Sequence, residues 1–171
     1  MVTIRPERSS DYKKIFVINK KAFKGEVEAR LVENLRHTKG FIPKLSLVAV
    51  KDGKVVGHIL FSIIHINTGS KFVPILALAP MAVIPEFQRR GIGSRMVREG
   101  LRNCEELGYK TVVLVGLPDY YPRFGFVKAS GKGLSLPFEA PDEAFMVYEI
   151  LPNTLNGISG VIVYPPEFAE E

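Results

Sequence analysis

Pro85-Glu86-Phe87-Gln88-Arg89-Arg90-Gly91-Ile92-Gly93 is the stretch that decides how the rest of the chain is read. It follows a strand-like apolar run, Phe72 to Ile84, and opens a helical pattern that reaches about Leu107. The first N–H groups of a helix have no intrahelical partner, and the helix dipole places partial positive charge on them. A glycine-rich turn at that point is a ready anion site. Gly91 and Gly93 let a ligand approach the backbone closely. Arg89 and Arg90 add fixed charge suited to phosphate. The stretch therefore predicts a phosphate or pyrophosphate cradle. A Walker-type loop would need Lys followed by Ser or Thr after its last glycine, and neither stands here. A dinucleotide fingerprint would need a third small residue where Met96 stands, and an acidic residue about 20 positions on.

What remains, Gln88-x-x-Gly91-x-Gly93, resembles the acetyl-CoA signature of the GNAT N-acetyltransferase superfamily. A second element, Tyr120-Tyr121-Pro122-Arg123-Phe124-Gly125-Phe126, resembles that family's later Tyr-x-x-x-Gly-Phe pattern, one helix and one strand downstream. The resemblance spans residues 2 to 128. The tail, with Glu143-Ala144-Phe145-Met146-Val147 and Tyr164-Pro165-Pro166, is similar to a prokaryotic, YhbS-like subgroup of predicted acetyltransferases. The resemblance implies a mixed α/β fold of the GNAT type, with a partly split β-sheet flanked by helices. It implies acetyl-CoA as co-substrate, held by the backbone of Met81, Ala82 and Val83 and by Gln88, Arg89, Arg90, Gly91, Ile92, Gly93 and Ser94.

Composition agrees with one globular domain over residues 1–171: a core to about residue 128, then a C-terminal strand and tail. The chain is 46% hydrophobic and 24% charged over 171 residues, enough to bury a core and too apolar for disorder. The apolar run Ile59 to Ile66 is broken by Ser62 and His65, so no membrane span is expected. The start, Met-Val-Thr-Ile-Arg-Pro, has no hydrophobic signal region, which makes the cytoplasm the expected location. A net charge of +5 and a pI of 9.3 suit an anionic ligand. Nucleic acid is not expected as a partner, because the basic residues are scattered and not interleaved with aromatics. Cys104 is the one cysteine and falls on the helical stripe Met96, Val97, Gly100, Leu101, so it reads as a core thiol.

Periodicity outlines the elements. Val2 to Arg5 reads as a strand ended by Pro6. Ser10-Asp11 is placed to cap a helix carrying Ile15, Ile18 and Ala22, which Gly25 breaks. Glu26 to His37 reads as a second helix, terminated by Gly40 and Pro43. Leu45 to Val50 and Val55 to Ile66 read as strands joined by an Asp52-Gly53 hairpin turn. Val73 to Ile84 is the next strand, and Pro80 within it predicts a bulge or the end of pairing. A helix from Gly91 to Leu107 precedes a buried parallel strand, Thr111 to Val115. Pro118 to Arg123 reads as short helical or irregular structure, and Phe145 to Ile150 as a final strand.

Acetyl transfer needs a neutral amine, a donor for the developing oxyanion and a proton or other stabilisation for the departing thiolate. The backbone around Met81 to Val83 is the expected donor. By resemblance, Tyr121 stands where the family places a Tyr near the sulfur, so it is the expected acid; Tyr120, Phe124 and Phe126 read as packing. The strand Ile75-Leu76-Ala77-Leu78-Ala79 lacks the Glu found there in many family members. Glu26, at the start of the second helix, is the candidate base or amine-binding group, with Glu28 beside it. His58 and His65 read as strand packing. Gly116-Leu117-Pro118-Asp119 stands where the family has an Asn. No His, Cys or carboxylate set has metal-ligand spacing, so no metal is expected.

These features predict an N-acetyltransferase acting on a small-molecule amine or on a protein or peptide amine. The alternative is a CoA-binding sensor or interaction module without turnover. A homodimer is compatible with the C-terminal segment and not required by it.

Overall fold

The computed structural model describes residues 1–169. β1 (Val2–Pro6) leads through a short turn into two helices, α1 (Tyr12–Phe23) and α2 (Val27–Leu35). β2 (Phe41–Lys51), β3 (Lys54–Asn67) and β4 (Phe72–Val83) then form an antiparallel meander, with β1 against β2. The first hairpin turns at Asp52-Gly53, both left-handed with φ of 51° and 75°, the geometry a two-residue turn needs to match strand twist. α3 (Ile92–Glu106) crosses over to β5 (Thr111–Val115), which lies parallel to β4. The remaining strands are β6 (Val127–Lys128), β7 (Leu134–Ser135), β8 (Phe145–Glu149) and β9 (Gly160–Val163).

The sheet order β1-β2-β3-β4-β5-β8-β6 is mixed: only β4–β5 is parallel on this path. β9 pairs with the far end of β3 at residues 65–67, beyond the part of β3 that β2 covers, and β7 pairs with β9.

α3 packs on one face and α1 with α2 on the other. Strand alternation sorts the side chains. Gly57 and Phe61 turn toward α3, where Gly100 leaves room for the Phe61 ring; a Cβ there would overlap it. Met96, Val97 and Cys104 complete this layer and are fully buried, and burial pushes the Cys104 thiol up to about 12, as befits a core group. Ile15, Ile18, Val32 and Leu35 cover the opposite face. The second half of that face belongs to the C-terminal region: Ala129, Leu134, Leu155 and Ile162 pack on Ile64, Ile66, Ala77 and Val113.

Several local expectations are corrected. Pro43 does not end α2. The helix stops at Leu35, and Pro43 lies inside β2, where the pairing with β3 jumps from Phe41↔Ser62 to Ser46↔Leu60. That irregularity absorbs a residue with no N–H to give. Asp11 does not cap α1; its carboxylate accepts from the Arg8 N–H at 2.7 Å and from the Arg5 guanidinium at 2.8 and 3.2 Å. As expected, the segment after β5 is short and irregular, ending in a 3₁₀ turn, Tyr121–Phe124, closed by Gly125 at φ 103°. β6, β7 and β9 were not expected from periodicity.

Pro80 meets its expectation. The Ala79-Pro80 peptide is cis, and the β3–β4 register slips there, from Ile59↔Met81 to Phe61↔Leu78, leaving one extra residue on β4. On the other side, β4 and β5 pair only at Leu76↔Val112 and Ala77↔Val113. Beyond these positions the strands separate and the sheet splits.

Candidate active site

The split opens into a cleft of about 750 Å³. Its walls are Leu78 to Val83 from β4 and Leu114 to Leu117 from β5 and its following loop. Gln88 and Arg89 lie at one end; Ala22, Phe23, Glu28 and Leu31 from the α1–α2 corner line it as well; Tyr120 and Tyr121 complete it.

The cradle is built from a 3₁₀ turn at Pro85–Phe87 followed by two left-handed residues, Arg89 at φ 63° and Gly91 at φ 80°. Gly91 is the N-cap of α3. The helical ladder there begins with Arg95 N–H to the Gly91 carbonyl at 3.1 Å. The N–H groups of Ile92, Gly93 and Ser94 thus precede the ladder, as an anion site requires. A Cβ on Gly91 would meet open space, whereas one on Gly93 would touch the Tyr120 hydroxyl at 3.4 Å and Met81 at 3.5 Å. This geometry fits a bound pyrophosphate.

The polar residues divide their work. Gln88 Nε2 donates to the Val83 carbonyl at 2.9 Å, tying the loop to the end of β4. Arg89 lines the cleft, while the Arg90 guanidinium sits over the Phe87 ring, 5.0 Å from its centroid. Ile84 N–H donates to Val56 on β3. In the alternating strand pattern, Met81 and Val83 therefore direct their N–H and C=O groups across the split, and Ala82 directs its own to β3.

Both tyrosines face the cleft. Tyr120 is not only packing: its hydroxyl lies 2.8 Å from Ser94 Oγ, in the first turn of α3. Tyr121 is buried, with its ring edge-on to Tyr120 at 5.0 Å and to Phe126 at 5.9 Å. Burial, reinforced by Tyr120, pushes the Tyr121 phenol up to about 12, so it keeps its proton at neutral pH. Gly116 permits its approach, since a Cβ there would stand 2.8 Å from the Tyr121 ring.

Glu26 lies elsewhere. Its carboxylate is paired with Lys20 at 3.0 Å and Arg30 at 2.6 Å, and the Lys20 ammonium chiefly holds it below the usual carboxylate range. It does not line the cleft; Glu28, one helical step inside α2, does. Among the described residues, no group of three or more His, Cys, Asp and Glu is placed to hold a metal ion, and no helix is long and apolar enough to cross a membrane.

Comparison with known proteins agrees with this geometry. Residues 3–129 match the family described as acetyltransferase (GNAT) domain. The uncharacterized N-acetyltransferase YhbS of Escherichia coli K12 is 34% identical over 166 residues, covering 96% of this chain and 97% of that protein. YjhQ from the same organism, also described as an uncharacterized N-acetyltransferase, is 40% identical over 136 residues, 78% of this chain and 75% of that one. The crystal structure of E. coli YhbS in complex with CoA superposes with a TM-score of 0.91 at 31% identity, over 99% of this chain and 92% of that one. A GNAT family acetyltransferase from Brucella melitensis, in complex with acetyl-CoA, gives a TM-score of 0.80 at 31% identity, over 98% of each chain.

Proposed function

This chain belongs to the GNAT acetyltransferase family, and from that premise we propose that it transfers the acetyl group of acetyl-CoA to a primary amine by direct attack in a ternary complex. The observation that carries the reading is the split between β4 and β5 with an anion cradle at its edge. The cofactor pyrophosphate is assigned to the N–H groups of Ile92, Gly93 and Ser94, with Arg89 supplying charge. The pantetheine arm is assigned to the Met81–Val83 edge of β4.

In this reading the amine nitrogen bonds to the thioester carbon, the C–S bond breaks, and sulfur leaves with the electron pair. Met81 N–H faces the split and is assigned to the developing oxyanion; one such donor is typically worth about 10²–10³-fold in rate. Tyr121 gives its proton to sulfur. Glu28, and not Glu26, is assigned to the amine side, accepting its proton directly or through water. A CoA-binding module without turnover is not favoured, because a carboxylate, Glu28, and two phenols, Tyr120 and Tyr121, line the cleft.

Free-thiol release from acetyl-CoA, measured over a panel of primary amines with the acetylated product identified by mass spectrometry, tests the reading. Amine-dependent release with matching product is expected. Acetyl-CoA binding with no amine-dependent release would return the chain to the binding-module alternative.

A further inference from the structure

A second pocket, of about 180 Å³, lies at the closed end of the split, next to the last β4–β5 pair, Ala77↔Val113. It shares the walls Leu78, Ala79, Leu114 and Val115 with the cleft, so the two spaces are neighbours. Its outer wall is three rings from the C-terminal region: Phe138, Tyr164 and Phe168. Tyr164 joins them, with ring centroids 5.9 Å from Phe138 and 4.9 Å from Phe168. Among the described residues, no charged side chain lines this pocket.

The rings are held in place by the backbone. Pro137 precedes Phe138, and Pro165 and Pro166 follow Tyr164, which restricts φ on both segments. The turn Pro166–Ala169 packs against α2. Phe138 remains 51% exposed at the mouth. A large ring left half in water beside an apolar pocket gains by covering a ligand.

If the cofactor takes the α3 side of the split, the amine enters from the α1–α2 and C-terminal side. We propose that the pocket walled by Phe138, Tyr164 and Phe168 receives the apolar part of the acceptor, so that the acceptor is a primary amine carrying one aromatic ring or a branched aliphatic group of similar size. An apolar cavity of about 150 Å³ accommodates benzene, so the volume here suits one ring. The inference rests on the acetyl-CoA reading of the cleft and adds the substrate class to it.

The test titrates 2-phenylethylamine, ethanolamine and spermidine into the CoA-saturated protein by calorimetry, and measures thiol release from acetyl-CoA with the same amines. Burying one ring predicts about a 10–100-fold advantage for 2-phenylethylamine over ethanolamine in affinity and in kcat/KM. Phe138→Ala, at an exposed position that does not threaten folding, is expected to shrink that ratio by about 3-fold or more. Acetyl-CoA affinity is expected to hold in that variant. Ethanolamine or spermidine equal to 2-phenylethylamine would overturn the inference and leave acetyl transfer standing. So would hexanoyl-CoA turning over faster than acetyl-CoA, which would give the pocket to the acyl chain. Amines that fail to bind the CoA complex would also overturn it. Failure to bind acetyl-CoA at all would overturn the cleft assignment and the inference with it.

Discussion

The Tyr120 hydroxyl lies 2.8 Å from Ser94 Oγ, which fastens the aromatic segment after β5 to the first turn of α3. Tyr121 packs edge-on against the Tyr120 ring. The helix that forms the cradle and the phenol assigned to the leaving thiolate are therefore braced against each other.

The brace separates the roles of the two phenols. Tyr121→Phe removes only the proposed acid and should lower kcat by about 10²-fold or more if chemistry limits turnover. Acetyl-CoA affinity should hold. Tyr120→Phe loses a hydrogen bond of about 1 kcal/mol and should cost less than about 10-fold in kcat. Steady-state kinetics with a good amine checks both. A damaging Tyr120→Phe with a silent Tyr121→Phe would reverse the assignment.

Arg89 and Arg90 should not be equivalent. Arg89 lines the cleft, whereas Arg90 is stacked on Phe87. Arg89→Ala should weaken CoA binding by about 10-fold, the scale of one charge-assisted phosphate contact, and more than Arg90→Ala does. Dephospho-CoA titrated in parallel tells whether either side chain reads the 3′-phosphate: that variant alone would lose the preference for CoA. Raising salt should weaken the parent more than Arg89→Ala, because exposed charge is screened.

Glu28→Gln is expected to lower kcat/KM for the amine by about 10²-fold, the lower end of acid–base contributions, with acetyl-CoA affinity intact. Glu26→Gln should leave turnover nearly unchanged, since its carboxylate is occupied by Lys20 and Arg30. The opposite ranking would restore Glu26 as the acceptor-side group.

A buried polar cluster under α1 and α2 predicts acid sensitivity. His58 is fully buried; its Nε2 lies 2.9 Å from Ser46 Oγ, which itself donates to Glu7 at 2.6 Å, and Arg36 clamps Glu7 at 2.9 and 3.0 Å. Since the Ser46 proton is given to Glu7, His58 Nε2 is the donor to Ser46. Burial, then the Arg36 charge, holds the imidazole down at about 3. The unfolded chain takes up this proton near pH 6.5 and the folded chain does not until about 3, so stability falls as pH falls through that window. The limiting slope is about 1.4 kcal/mol per pH unit. Urea unfolding between pH 7 and 4.5 should show a falling midpoint in the parent and a flatter profile in His58→Gln. Equal slopes would remove His58 as the cause.

What could be read from residues alone was what short-range covalent constraints encode. Pro80 lacks an N–H, and in the interior of an apolar strand that points to a bulge or a break in pairing, whereas Pro74 near the start of the same strand keeps its register with His65. Gly91 and Gly93 beside a helix start likewise mark a cradle within a few residues. Glu26 and Glu28 could not be ranked in this way, because the choice depends on where α2 begins and on Lys20 and Arg30 reaching back to Glu26. The Tyr120–Ser94 contact joins residues 26 apart and leaves no local pattern. β6, β7 and β9 are two to four residues long, too short for an alternation to register. The aromatic wall at Phe138, Tyr164 and Phe168 exists only because β9 carries the C-terminal segment back along β3.

Acetyl-CoA affinity of Gly91→Asp, measured by calorimetry beside the parent, tests the central claim most directly. The position is open to solvent and left-handed, a conformation Asp tolerates better than most side chains, so the variant should fold. Its carboxylate would stand at the anion cradle. The account predicts at least about a 10-fold loss of affinity, the scale of one lost or repelled charged contact. A folded Gly91→Asp that binds acetyl-CoA as tightly as the parent would contradict it.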